Sequence, residues 1–336
     1  MLSNKSGCRW ACYNWKLGRI LFMENSIIRI TILVDKGTDI VEFVYKPLDI
    51  DFMWRSPFPL YGQGFQETIH GKPGKFMDYY PGGWQECFPN AGAPCEYKGA
   101  DLGLHGEVAV LPWEYQIIES SKDILKIKFW VRTVRTPFYL EKTLTIEEGS
   151  ASMKIEETVV NEAGEKMDFL WGHHPAFGEP FLDESCRINI QCENVEICPG
   201  DGISFTNLKQ GTGRWPEVEG IDGKPVDLSK VPPPDAKISD VIFLSGLKEG
   251  KYEIINQRSS LGFRFEFPHK TFKYIWYWRI ARGSFGYPWY GRTYNLALEP
   301  FSGKAILSEA VKNNYQLTLD PGQSMSVDLL VTAFRV

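Results

Sequence analysis

Two histidines and one glutamate supply the residue types from which acid–base chemistry is built. Residues 168–180 read Asp-Phe-Leu-Trp-Gly-His-His-Pro-Ala-Phe-Gly-Glu-Pro and set His173 beside His174 in a segment of extended character. Successive residues of a strand point to opposite faces, so Phe169, Trp171 and His173 share one face and Leu170, Gly172, His174 and Ala176 the other. Gly172 and Ala176 leave room for a ligand beside His174, whereas His173 follows bulky aromatics and reads as packed. Pro175 is expected to end or distort the pairing. Imidazole titrates near neutrality and can give or take a proton. The complementary group is Glu299 in Tyr-Asn-Leu-Ala-Leu-Glu-Pro (294–300), where Asn295, Ala297 and Glu299 form one face and Tyr294, Leu296 and Leu298 the other. A carboxylate there can project into a cleft as a base; the plainer reading is a solvated strand end.

Between Tyr79 and Trp113 runs a stretch rich in Gly, Pro and aromatics, the composition of a binding rim. Trp84 is placed to stack on a ring, and Asn90 and His105 to hydrogen-bond hydroxyl groups, unless all three serve to order a long loop. His105-Gly106-Glu107 with the distant histidine pair permits a cupin-like metal reading. It lacks the His-x-His that would put two ligands on one strand face, so no metal is expected. No Gly-rich nucleotide fingerprint is present either, and no cofactor is expected.

Composition narrows the partners. Aromatic residues make up 14% of the 336, which suits strands and stacking against sugar rings. A formal net charge of −5 with no long basic run excludes a nucleic-acid footprint. The seven cysteines form no Cys-x-x-Cys pair and read as reduced thiols. Near the start, Lys5, Arg9, Lys16 and Arg19 interrupt the apolar stretches, so neither signal peptide nor membrane span is expected, and the protein reads as cytoplasmic.

The elements that must position these groups are strands. From Ser26 onward short segments of period two follow one another, as in Ile28–Ile32, Leu125–Val131, Arg187–Cys192, Leu261–Phe267 and Met325–Ala333. No helical pattern of comparable length competes, which predicts antiparallel sheets packed as a sandwich or closed as a barrel. Thr206–Asp235 is dense in Gly, Pro and charge and reads as a surface excursion. The β pattern is of the same kind on both sides of it, so 1–336 is read as one domain, with 1–25 as an N-terminal extension.

In their order and spacing several of these pieces resemble the aldose 1-epimerase, or galactose mutarotase-like, family. They are Leu104-His105-Gly106 with Pro112-Trp113, Asn161–Gly164 leading into Trp171–Phe177, Asp240–Leu244, Leu298-Glu299-Pro300 and Leu319–Gly322. No single piece is specific; the ordered set is. The resemblance implies an all-β fold, a large antiparallel β-sandwich with a sugar cleft on one sheet. It implies that His174 and Glu299 are the catalytic pair and that His105 and Asp240 bind sugar. The activity implied is interconversion of the α and β anomers of a hexose by acid–base ring opening. Where many members carry an Asn-Arg-Ile segment whose arginine binds sugar, this chain has Phe88-Pro89-Asn90-Ala91-Gly92. Two rivals remain: a non-catalytic sugar-binding or regulatory protein, and an epimerase of hexose 6-phosphates using Arg279, Arg282 or Arg292. The sequence leaves the sugar and the oligomeric state open.

Overall fold

The alternating segments pair as antiparallel strands in a computed structural model, which describes residues 7–15, 18–57, 75–198 and 205–336. One sheet has twelve strands and a second has eight. Ile28–Leu33 lies in the first, and Ile124–Arg132, Leu261–Glu266 and Ser324–Arg335 in the second. Their facing sides share one apolar core: Phe43 and Phe177 of the first sheet, with Phe52 beside it, all contact Phe263 of the second, and Trp84 contacts Phe265. Burying each such side chain contributes about 1.5–3 kcal/mol. The fold is therefore an all-β antiparallel sandwich. No helix among the described residues is long and apolar enough to cross a membrane.

Two regions differ from the sequence reading. Most of the expected N-terminal extension is a hairpin, Arg9–Trp15 with Gly18–Glu24, added to the edge of the large sheet. Charged residues at Arg9, Arg19 and Glu24 hid its period. The 206–235 excursion holds three short strands, of which Gly211–Arg214 pairs with Asn194–Ile197 and extends the same sheet. Leu208, Val218, Leu228 and Val231 anchor it in the core.

The core also contains polar groups. Lys142 Nζ lies 2.9 Å from Glu86 Oε2, both buried, with the ammonium 4.7 Å above the Trp113 ring. Trp171 Nε1 donates to Glu86 Oε1 at 3.0 Å. Trp84 Nε1 donates to His173 Nδ1 at 3.3 Å, so the neutral ring carries its proton on Nε2, 3.1 Å from Glu157 Oε2. These contacts tie the two sheets together in the plane where His173 was expected to pack.

Removing one member of a buried ion pair strands the other charge. Lys142→Met is expected to cost about 3–5 kcal/mol of stability, and adding Glu86→Gln to recover much of it. Urea denaturation midpoints of the two variants check this.

Candidate active site

Ladder register builds the site. Ile40 pairs with Trp84, which sets Asp39 against Gln85; Gln85 pairs with His174. The strand of His174, Gly172–Phe177, meets Tyr294–Phe301 at Gly172 with Phe301 and Ala176 with Ala297, so His174 lies across from Glu299. Glu299 in turn pairs with Trp276, and Trp276 with Phe243. Asp39, Gln85, His174, Glu299 and Trp276 thus form one row across five neighbouring strands, roughly 4.8 Å apart. Alternation turns the row to the face away from the second sheet, because Trp84, Glu86, His173 and Leu298 face the core. Pro175 does not end its strand, which runs on to Phe177. The ladder toward Glu299 skips only the positions around it, where Pro offers no N–H.

Aromatic side chains close over this row. The short helix Lys75–Asp78 brings Phe76, stacked at 5.2 Å on Tyr80, against the His105 ring at 4.9 Å. Trp278 lies 5.6 Å from His174 and from Trp289, and Trp54 5.4 Å from Trp289. His105 sits 5.3 Å from His174, ring centre to ring centre. It occupies a left-handed conformation (φ 57°) at the head of a turn, and Gly106 (φ 83°) follows, where a Cβ would lie 2.1 Å from the Phe88 carbonyl oxygen. This strained backbone is held by the His105 N–H donating to the Gly92 carbonyl at 2.9 Å. The Gly92 N–H donates to His105 Nδ1 at 3.1 Å, which leaves the ring proton on Nε2.

The dry setting dictates the protonation states. Burial lowers the His174 pKa to about 4 and that of His105 well below the usual imidazole value, so both rings are neutral at pH 7. Burial pushes the Glu299 carboxyl well above its ordinary range. His174 Nε2 lies 3.4 Å from Glu299 Oε1, and Nδ1 lies 3.3 Å from the Tyr80 hydroxyl. Glu299 Oε2 is buried and has no hydrogen-bond partner among the described residues. The histidine and glutamate therefore form a close pair in which the ring stays neutral while the carboxyl keeps its proton to higher pH than usual. One member able to give a proton and one able to take it face the same small volume.

The row gathers His174 and Glu299, with His105 beside them, and leaves out other residues singled out from the sequence. Asp240 lies on the core side of its strand with Ile242 and Leu244, in a buried ion pair with Arg279 at 2.8 Å. The same pair consumes Arg279, whereas Arg282 and Arg292 are exposed. Trp84 faces the core rather than a rim. Asn90 orders its loop, donating to the Ala93 and Gly103 carbonyls and accepting from the Leu307 N–H at 2.8 Å. Glu107 accepts from Val134, Arg135 and Thr136, closing a turn. The room expected over Gly172 is filled by the Phe301 ring. Sequence reasoning missed Tyr80, Trp278, Asp39 and Gln85. For Trp278 a signal existed: Trp276 and Trp278 alternate with Arg279 in a strand of period two.

Solved structures with the same architecture share little sequence with this chain. A candidate aldose 1-epimerase from Klebsiella pneumoniae matches 98% of it with 88% of its own chain, at a TM-score of 0.72 and 16% identity. A galactose mutarotase related enzyme from Lactobacillus acidophilus matches 94% with 97% (TM-score 0.64, 19% identity). A galactose mutarotase-like protein from Clostridium acetobutylicum matches 99% with 100% (TM-score 0.64, 14% identity). No curated protein sequence matches the chain. The fold class is thus the galactose mutarotase-like β-sandwich. Within it, the chain belongs to the family described as a domain of unknown function, DUF4432, whose model matches residues 18–333.

A carboxyl whose pKa is raised by folding contributes stability below its unfolded value and loses it as pH rises through the folded value. Glu299→Gln removes that loss. The variant is expected to melt above the parent at neutral pH, with the gap closing as pH falls toward the ordinary carboxyl value of 4.5. Melting temperatures between pH 4 and pH 8 check the sign.

Proposed function

We propose that the protein is an aldose 1-epimerase, interconverting the α and β anomers of a free hexose. The observation that carries this reading is the His174–Glu299 pair, buried, 3.4 Å apart and bordered by the neutral His105. Anomerisation needs one proton removed from the C1 hydroxyl and one delivered to the ring oxygen. Glu299 takes the first and His174 gives the second; the C1–ring-oxygen bond breaks, the C1–C2 bond rotates, and closure on the other face returns both protons.

The dry empty site keeps the pair's proton on the carboxyl. Sugar hydroxyls donating to Glu299 stabilise its ionised form and move that proton to the imidazole, which readies both groups for their roles. Tyr80, its hydroxyl pushed up by burial, keeps its own proton and orients His174 through Nδ1. With Nδ1–H donating to the Tyr80 oxygen, Nε2, the nitrogen facing Glu299, is free to take the proton of the carboxyl and pass it to the ring oxygen. His105, with its proton on Nε2, is a neutral donor for a sugar oxygen. Trp278, Trp289 and Trp54 supply the apolar faces on which a pyranose stacks. Of the rivals, the phosphorylated-hexose reading loses Arg279 to its pair with Asp240. The non-catalytic reading leaves the buried Glu299–His174 contact without a task.

Glu299→Gln and His174→Asn are each expected to lower kcat by about 10²–10⁴-fold, with the double variant little worse than the poorer single. His173→Asn is expected to lower stability more than kcat, since His173 bonds Trp84 and Glu157 in the core. Anomer exchange of free hexoses by NMR gives the rates. Full exchange rates in both single variants would defeat the assignment.

A further inference from the structure

The reaction above engages His174, Glu299 and His105 and leaves two polar members of the row without a task. Asp39 and Gln85 are both 0% exposed. Asp39 Oδ2 accepts from Lys36 Nζ at 2.6 Å and from Gln85 Nε2 at 3.0 Å, and Gln85 Nε2 also donates to the Gly82 carbonyl at 2.7 Å. Lys36 is held further by the Ala109 carbonyl at 3.1 Å. What remains is one acceptor on each side chain: Asp39 Oδ1 and Gln85 Oε1 are buried and have no partner among the described residues. A dry acceptor without a donor is costly.

The two side chains belong to the same row, on the same face of the sheet, as the catalytic pair. Gln85 is in register with His174, one strand from it on the side opposite Glu299. The Tyr80 hydroxyl and the Cys87 thiol, both raised chiefly by burial, each feel the charges of Glu299 and of Asp39.

We propose that Asp39 and Gln85 form a second subsite that accepts two neighbouring hydroxyl groups of a neutral sugar and so selects the substrate. The proposal rests on the epimerase reading for the place of the reacting ring. Its chemistry is specific. Two bare acceptors require O–H donors, which a vicinal diol supplies and an ionised phosphate or carboxylate does not. The ammonium of Lys36, the nearest cation, is already bonded on two sides.

The test follows anomer exchange of D-glucose and D-galactose, each with its 2-, 3-, 4- and 6-deoxy analogues, by NMR. Asp39→Asn and Gln85→Leu are each expected to raise KM about tenfold or more while kcat changes far less. One deoxy analogue is expected to lose by a similar factor on the parent protein and to lose nothing further on Gln85→Leu. Because Gln85 also braces the Gly82 carbonyl, Asp39→Asn, which keeps its shape, carries the test if Gln85→Leu does not fold. Unchanged KM in the folded variants, or losses that add for every analogue, would overturn the subsite while leaving the epimerase reading intact. If the parent protein exchanges no sugar, the epimerase reading falls and calorimetric titration of the same sugars decides the subsite. Weaker binding by Asp39→Asn then supports it; equal binding, or none to either protein, overturns it. Glucose 6-phosphate binding as tightly as glucose would also overturn it.

Discussion

The register of the large sheet is the constraint on which the site depends. Side chains from five strands meet in one row only because each ladder fixes its neighbour to the residue, from Asp39 against Gln85 through His174 to Glu299 and Trp276. A slip of one residue in any strand would turn its members to the other face. The proteins with this fold share few residues with the chain, at 14–19% identity for the three compared, yet the sheet still supplies a face on which such a row can be written. Fold and function are separable here: the backbone offers the face, and particular side chains decide its chemistry.

The opposite face of the same strands explains how the register is kept. Gln85 faces outward and Glu86 inward; His174 faces outward and His173 inward. The inward partners are not idle. Glu86 bonds Lys142 and Trp171, and His173 bonds Trp84 and Glu157, all buried. A buried ion pair adds little net stability over apolar packing, but it penalises any register that would unpair it. The inner network therefore acts as a key for alignment, one residue away from the groups that it aligns. The Phe43, Phe52, Phe177 and Phe263 cluster supplies bulk burial, which many registers would satisfy; the polar contacts are satisfied in one.

Much of this was legible in the sequence, and the failures have physical causes. The opposed faces of His173 and His174 followed from strand period alone, and so did the shared face of Asn295, Ala297 and Glu299. Asp240 was assigned by analogy of position, but alternation sets it with Ile242 and Leu244, and a buried Arg279 satisfies its charge. Gly172 promised space that Phe301 fills, because the residue across a ladder is not visible from one strand. Asp39 and Gln85 escaped notice for the same reason. Each is unremarkable in its own segment, and their proximity exists only after strands 46 residues apart in sequence have paired.

The aromatic enclosure completes the argument for why these polar groups are left unpaired. Phe76, Tyr80, Trp54, Trp278 and Trp289 exclude water from the row, and burial alone holds His174 neutral and raises Glu299. Water in the site would pair the free oxygens of Asp39, Gln85 and Glu299, and it would return both members of the pair to ordinary pKa values. Excluding it leaves acceptors that only an entering ligand can satisfy. On the proposed reading, the chain accepts a less stable free state, its cost borne in part by these three buried oxygens, and recovers it when hydroxyl groups arrive at those positions. Binding and activation would then be one event in the proposed reaction, because the same hydroxyls that donate to the Glu299 oxygens also stabilise its ionised form.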